Sequence, residues 1–152
     1  MKNIVLRKAV PEDAPFIFNS WLKSFRKSPL ARNICSTVYF SEHHKVIERL
    51  LRSCDVTLAC NPDDPTQLYG YAVMENKDGV DVFHYIYVKH TFRRLGIAKT
   101  LKDDMQSTDA ASVYTHHTQW ADRIAPRYNM VYSPYVALTP DYREAEDVQE
   151  TE

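Results

Sequence analysis

The chain has 152 residues, of which 44% are hydrophobic and 26% charged, a composition typical of one globular domain. Lys and Arg number 19 and Asp and Glu number 20, so the net charge of −1 gives no field that would attract nucleic acid or an anionic membrane. No apolar run is long enough for a transmembrane helix, and the N-terminus MKNIVLRKAV is too short and too charged for a secretory signal, which predicts a cytoplasmic protein.

Apolar spacing in the N-terminal part predicts one strand, two helices and a second strand. Pro11 suits the first turn of a helix, and Ser41 could cap the next one. The stretch between these helices is mixed and predicts irregular structure. The predicted elements are a strand at 4–6, a helix from Pro11 to about Lys27, a helix from Ser41 through Leu51 and a strand at 56–60.

The C-terminal part alternates strands with helices. Asn76-Lys77-Asp78-Gly79 predicts a hairpin turn, and Pro134 indicates that the last strand lies at an edge or is bulged. The order of elements predicts an α/β (α+β) sheet with helices on both faces. The predicted elements are strands at 68–74 and 80–88, a helix at 96–105, a strand at 112–118, a helix at 120–128 and a strand at 130–138.

Charge is distributed unevenly along the chain. Residues 1–55 hold ten Lys or Arg and five acids, whereas residues 141–152 hold six acids and one base. We therefore predict one domain at 1–140 and a flexible acidic segment at 141–152. The alternative is that this segment folds back on the basic N-terminal half.

Neither the cysteines nor the paired histidines predict a metal site. Cys35, Cys54 and Cys60 are odd in number and lack the spacing of metal ligands, so we expect three reduced thiols. His43 and His44 lie in a predicted helix without a matching group of acids.

The segment 88–99 carries the clearest functional signal. It joins a predicted strand to a predicted helix and places Gly96 and Ala98 where the helix begins. Free amides at a helix start bind anions, and Arg93, Arg94 and Lys99 add positive charge. The segment therefore predicts a pyrophosphate site; the alternative is an ordinary basic loop before a helix.

In this segment the chain resembles the GNAT superfamily of acyl-CoA-dependent N-acetyltransferases. IYVKHTFRRLGIAKTL follows the family pattern V-x-P-x-x-R/Q-x-x-G-x-G/A with His90 in place of Pro. IVLRKAVPEDAPFI is similar to the family's first strand and helix, and LYGYAVM to its third core strand. The resemblance implies a mixed, mostly antiparallel central sheet with a V-shaped splay between two parallel strands, here 80–88 and 112–118.

The resemblance also implies acetyl-CoA, or CoA, as the cofactor. The end of the central strand would hold the pantetheine arm, and the Val88 amide would stabilise the oxyanion of the thioester. The following loop would bind the pyrophosphate. The implied cofactor-binding residues are Ile86, Tyr87, Val88, Arg93, Arg94, Leu95, Gly96, Ile97, Ala98 and Lys99.

Attack by an amine requires a base, because an amine of this kind is mostly protonated at neutral pH. His84 is the first candidate; the alternative is a hydrogen-bonded core histidine. Strand alternation predicts Val82, His84, Ile86 and Val88 on one face and Asp81, Phe83, Tyr85 and Tyr87 on the other. The candidates for the acceptor site are Tyr85, His116 and His117.

The helix at 120–128 departs from the family pattern N-x-x-A-x-x-x-Y-x-x-x-G-F. Matching Gly-Phe to Asn129-Met130 places Thr118 at the family Asn and Ala125 at the Tyr that acts as general acid. Ala125 cannot donate a proton, and Pro126 should kink or end the helix. Tyr128, one turn later, is the candidate acid; the alternative is a packing role.

The predicted function is an N-acetyltransferase that moves an acetyl group from acetyl-CoA to a primary amine of a small molecule or protein. The alternative is a weakly active or inactive protein of the same fold that binds CoA or another protein. The positive charge of the first helices favours a neutral or acidic acceptor. Tyr132 and Tyr135, if exposed, suit the contact of a homodimer or an acceptor pocket.

Overall fold

The computed structural model describes residues 3–138, so the predicted acidic segment at 141–152 lies outside the described residues. Within that range, no helix combines the length and apolarity needed to cross a bilayer. The strands are β1 Val5–Lys8, β2 Asp55–Asn61, β3 Asp64–Lys77, β4 Val80–Val88, β5 Ser112–Tyr114 and β6 Met130–Tyr132. The helices are α1 Ala14–Phe25, α2 Ser36–Ser53, α3 Ile97–Met105, α4 Gln119–Ile124 and α5 Tyr135–Leu138.

The six strands form one mixed sheet in the order β1-β2-β3-β4-β5-β6. The first four strands pair antiparallel, whereas β4 pairs parallel with β5 and β5 with β6. The β3–β4 turn has Asp78 at φ 52° and Gly79 at φ 87°, the conformation of a mirror-image hairpin turn. The mixed sheet and this hairpin are as the sequence predicts.

Helices cover both faces of the sheet, as predicted. Helices α1 and α2 pack on one face, where the largest buried side chains include Trp21 and Tyr71. Helix α3 packs on the other face through Ile97 and Leu101. The buried apolar groups hold the helices on the sheet, because removing that surface from water is the main favourable term in folding.

Helix α2 begins at Ser36, so the predicted start at Ser41 is wrong. Tyr39, His43, Ile47 and Leu50 recur at helical spacing and are buried against the sheet. Tyr39 lies in the stretch predicted to be irregular. Because its side chain is buried in the core, the helix begins about one turn earlier than predicted. The apolar spacing that includes Tyr39 therefore indicated the start of α2 better than the capping serine did.

The C-terminal elements are shorter than predicted. β5 ends at Tyr114 rather than at residue 118, and β6 ends at Tyr132 rather than at residue 138. The short helix α5 follows Pro134. The carbonyl of Pro134 accepts hydrogen bonds from the amides of Ala137 and Leu138. Helix α4 gives way to a 3-10 turn at Ala125–Tyr128, where Pro126 was expected to interrupt it.

Candidate active site

Strands β4 and β5 pair only near their first residues and then part. Val82 pairs with Val113 and Phe83 with Tyr114, and the amide of Thr115 reaches the Phe83 carbonyl at 3.2 Å. β4 continues to Val88, whereas β5 has ended at Tyr114. The last three residues of β4, Ile86 to Val88, are half-buried and have no partner on β5, so they border an opening, which is the splay that the resemblance implied.

The polar backbone groups of Ile86 and Val88 face this opening. The amide of Lys89 donates to the Tyr69 carbonyl of the neighbouring β3 segment at 2.8 Å. Hydrogen bonds alternate along an antiparallel pair, so the bonds of Tyr87 also point toward β3. The N–H and C=O groups of Ile86 and Val88 consequently point the other way, into the gap between β4 and β5.

A bulge at His84 explains the parting of the strands. Val73 of β3 pairs with Tyr85 and Met74 with Phe83, which leaves His84 without a partner on β3. A residue inserted in this way bends its strand and increases the local twist. The bulge lies at the residue after Phe83, where the β4–β5 pairing ends.

The bulge also shows that the predicted alternation of β4 is wrong. Tyr85 stacks on Trp21 of α1 at 4.7 Å, and His84 contacts Glu75 and Thr115 on the same face. Phe83 lies instead under Lys102 of α3, with 5.9 Å between the ammonium and the ring centroid. His84 and Tyr85 therefore share the α1 side, because the extra residue shifts the side-chain period by one.

The loop after β4 presents unpaired amides at the start of α3. Gly96 is the residue before the helix, with φ 79°, and a Cβ at this position would have no heavy atom within 4 Å. The first intrahelical bond runs from Thr100 N to Gly96 O at 3.0 Å. The amides of Ile97, Ala98 and Lys99 precede that bond, so none has a partner within the helix. An anion can approach them over the glycine.

The charged side chains of this loop have different surroundings. Arg93 Nε donates to the Val88 carbonyl at 2.9 Å, and Arg94 is exposed in a left-handed conformation with φ 65°. Lys99 Nζ contacts Asp103 Oδ2 at 2.6 Å, and this pairing raises the pKa of Lys99. Leu95 is 39% exposed. Among residues 3–138, Lys99 is therefore paired with an acid, whereas Arg93 and Arg94 have no ion pair with a carboxylate.

His84 begins a buried chain of hydrogen bonds. Its Nδ1 lies 2.9 Å from Thr115 Oγ1, which lies 3.0 Å from His116 Nδ1. His116 Nε2 then lies 2.9 Å from His43 Nε2. Burial lowers the pKa of His43 to about 4, and burial with the nearby imidazoles lowers the pKa of His116. His43 and His116 are therefore neutral at physiological pH.

Two of the predicted acceptor-site residues, Tyr85 and His116, lie inside the core. The Tyr85 hydroxyl is 2.5 Å from Ser24 Oγ, and its ring stacks on Trp21. His116 meets the rings of Trp21 at 5.0 Å and Phe25 at 4.7 Å. An acceptor could reach them only if α1 moved, so their role at an acceptor site stays a prediction.

His117, the third predicted acceptor-site residue, lies outside this core, in a cluster with Asp122 and Tyr114 that the sequence did not predict. Its Nδ1 is 2.8 Å from Asp122 Oδ1, and the Tyr114 hydroxyl donates to the same oxygen at 2.9 Å. Burial and the neighbouring carboxylate raise the pKa of Tyr114 to about 12. Tyr114 is therefore a protonated hydroxyl at the end of β5. No local spacing signals this pairing, since a strand and the following helix bring it together.

Tyr128 and Thr118 have structural contacts in this region. The Tyr128 ring lies 5.1 Å from the Lys102 ammonium, so it packs toward α3. Thr118 Oγ1 accepts the amide of Ala121 at 3.1 Å and caps α4. Ala125, at the position of the family's acid, is buried. The role of Tyr128 as a general acid stays a prediction.

Comparison with known proteins shows the fold. No family profile and no curated protein sequence matches the chain. An acetyltransferase of Corynebacterium glutamicum related to histone acetyltransferase HPA2 aligns with a TM-score of 0.60 and 13% identity, covering 83% of each chain. A putative acetyl transferase of Pyrococcus furiosus aligns with a TM-score of 0.51 and 18% identity, covering 98% of this chain and 91% of the other.

A putative GNAT family acetyltransferase of Staphylococcus aureus aligns with a TM-score of 0.50 and 20% identity, covering 66% of this chain and 86% of the other. Against three further solved structures, this chain spans only 62%, 64% and 62% of the length of the other protein. At 13–20% identity, the alignments with TM-scores of 0.50 to 0.60 show the fold alone. The chain has the GNAT fold, as its sequence predicts.

Proposed function

We propose that this protein is an acyl-CoA-dependent N-acetyltransferase that uses acetyl-CoA directly to acetylate a primary amine of a small molecule or protein. One observation carries the proposal: β4 and β5 part beyond Phe83, beside an exposed helix start with unpaired amides. The acetyltransferases that share the fold support this class of reaction.

The loop residues fit a diphosphate. The amides of Ile97, Ala98 and Lys99 point out of the first turn of α3, and a helix start favours negative charge. Arg93 and Arg94 add two cations at the same place. Gly96 leaves the approach open, because no side chain covers it. We expect this turn to bind the diphosphate of CoA.

The opening between the strands fits the pantetheine arm. Polar backbone groups of Ile86 and Val88 face the gap and can pair with the amides of an extended chain. The Val88 carbonyl already accepts from Arg93, whereas its amide is directed into the gap. The Val88 amide is therefore the proposed donor to the developing oxyanion, an interaction worth about 3–4 kcal/mol in hydrolytic enzymes.

The reaction forms a C–N bond and breaks the C–S bond of the thioester that acetyl-CoA supplies. The amine must lose a proton, and the departing thiolate must gain one. His84 is the predicted proton acceptor and Tyr128 the predicted donor, while Tyr114 is a further protonated hydroxyl at the end of β5. The cofactor part of the proposal does not depend on these assignments.

A second candidate is a protein of this fold that binds CoA without efficient transfer. Ala125 occupies the position of the family's acid and has no proton to donate. The rings of Trp21, Phe25, Tyr85 and His116 pack on one another, which leaves the α1 side of β4 filled. Both observations favour binding over turnover.

The experiment compares binding and transfer on the same preparation. Calorimetry with CoA should show saturable binding, and pantetheine, which lacks the diphosphate, should bind far more weakly. Radiolabelled acetyl-CoA with a panel of primary amines and acid-flanked peptides then measures transfer. Binding without transfer to any acceptor favours the second candidate. Absence of CoA binding, or equal binding of pantetheine, overturns the proposal.

A further inference from the structure

Three metal-ligating side chains meet on the α2 side of the sheet. Cys54 stands between α2 and β2, Glu75 lies on β3 and His84 on β4. Cys54 Sγ donates to Glu75 Oε2 at 2.8 Å, and His84 Nε2 lies 3.7 Å from the same oxygen. One donor atom from each residue lies within 4.8 Å of the other two.

The imidazole of His84 directs an unpartnered nitrogen at this cluster. Its side chain is 0% exposed, and Nε2 has no hydrogen-bond partner among residues 3–138. The 3.7 Å separation from Glu75 is too long for a hydrogen bond. Buried polar atoms without partners are rare and call for an explanation, and a missing ligand is one.

We propose that Cys54, Glu75 and His84 bind one Zn²⁺ ion. Thiolate, carboxylate and imidazole are the donors that zinc takes in proteins, and three protein ligands leave a fourth position for water. Atoms within 4.8 Å of one another share a point no more than about 2.8 Å from each, against zinc–ligand distances of about 2.0–2.3 Å. Small side-chain shifts therefore complete the site.

Two of the three ligands, His84 and Glu75, are also held by an outer partner. Thr115 Oγ1 pairs with His84 Nδ1 at 2.9 Å, and so fixes the ring with Nε2 toward the cluster. Lys77 Nζ lies 3.3 Å from Glu75 Oε1, which leaves Oε2 for the metal. Outer partners of this kind orient metal ligands in known sites. The arrangement is more than three side chains that happen to be close.

Metal binding replaces one proton. The S–H bond of Cys54 breaks, an S–Zn bond forms, and the proton passes to the solvent; no group is oxidised or reduced. The metal also takes the lone pair of His84 Nε2, so the loaded form cannot use that nitrogen as a base. The two proposals share His84, but metal binding is measured without acetyl-CoA, so each can fail separately.

The test uses Co²⁺ as a spectroscopic substitute for zinc on the metal-free full chain. We expect one Co²⁺ per chain, with a thiolate-to-cobalt charge-transfer band that Zn²⁺ abolishes by displacement. Cys54→Ser should lose the band, whereas Cys35→Ser should keep it, because Cys35 is exposed and away from the cluster. Thr115→Val should weaken binding about 10- to 100-fold, as outer-partner substitutions do.

Three results would overturn the proposal: no saturable Co²⁺ binding, a band that persists in Cys54→Ser, or a band that Cys35→Ser removes. Circular dichroism checks that each variant is folded. If Cys54→Ser does not fold, Glu75→Gln decides, because it keeps the thiol and the side-chain shape. Glu75→Gln should bind Co²⁺ at least tenfold more weakly than the wild type, and equal affinity would count against the site.

Discussion

Arg93 Nε donates a hydrogen bond to the carbonyl of Val88 at 2.9 Å. The bond ties the basic turn back to the last residue of β4, the strand that borders the opening. It uses the Val88 carbonyl and leaves the Val88 amide for a ligand. The charge that would attract a diphosphate and the backbone that would meet the thioester are thus held in one unit.

Arg93→Lys should weaken CoA binding about tenfold, although the charge is kept. Lysine has no planar Nε donor for the Val88 carbonyl, and a hydrogen bond to a charged group contributes about 1.5–3 kcal/mol. Calorimetry with CoA measures the change. Arg52→Lys is the matched control, because Arg52 is an exposed residue of α2 that contacts Glu48 at 3.5 Å. Equal affinities for the wild type and Arg93→Lys would contradict the expectation.

Gly96 and Gly79 form a matched pair that separates strain from ligand contact. Both have positive φ, at 79° and 87°, and a Cβ on either meets nothing within 4 Å. Ala at either position should therefore lower the free energy of unfolding by about 1–2 kcal/mol, as measured in urea. Gly96→Glu should in addition abolish CoA binding through its charge and bulk, whereas Gly79→Glu should not. Loss of binding in both would mean that folding, not the site, is affected.

Arg94→Gly should lower the affinity for CoA without lowering the stability of the protein. Arg94 has φ 65°, a conformation that costs a non-glycine residue free energy and that glycine adopts freely. We expect the variant to be as stable as the wild type, or up to about 1 kcal/mol more stable. CoA affinity should fall, because one exposed cation is lost. A variant that binds CoA as tightly as the wild type would place Arg94 outside the site.

Asp13→Asn should destabilise the protein at neutral pH but not in acid. Asp13 is 5% exposed and accepts from both terminal nitrogens of Arg7, at 2.8 and 2.9 Å. Hydrogen bonding to Arg7 lowers the pKa of Asp13 from 3.8. The stabilisation is therefore complete above the unfolded pKa and is lost as pH falls through the lower folded pKa.

Urea unfolding at about pH 7 should show a loss of about 2 kcal/mol for Asp13→Asn. Below the ordinary carboxyl pKa of 3.8 the difference from the wild type should shrink progressively, because the unfolded chain then takes up the proton that the folded ion pair resists. Asp63→Asn, in an exposed turn, serves as the control and should leave stability unchanged across this pH range. A difference that does not change with pH would rule out the ion pair as its source.

Local patterns were enough to predict the strand–turn–helix unit that carries the proposed cofactor site. Alternating aromatic and branched residues predicted β4 at its observed bounds, and the helix predicted from Gly96 begins one residue later, at Ile97. Both depend on short-range physics: strand propensity, and the positive φ that glycine tolerates. The resemblance of the segment to the GNAT pattern added the splay, which the fold confirms.

The face of the sheet to which each β4 side chain points depends on the pairing register with β3, which no local sequence pattern encodes. His84 has no partner on β3, and this bulge places Tyr85 on the same face as His84. Where the bulge forms is decided by the pairing with β3 and the packing against α1. The contacts between Tyr114 and Asp122, and among Cys54, Glu75 and His84, likewise join residues on different strands, helices and loops. By itself the sequence predicted the order of most strands and helices and the glycine turn for which we propose anion binding. Which side chains meet was decided only by the tertiary structure, because strand register and helix packing are collective properties of the whole chain.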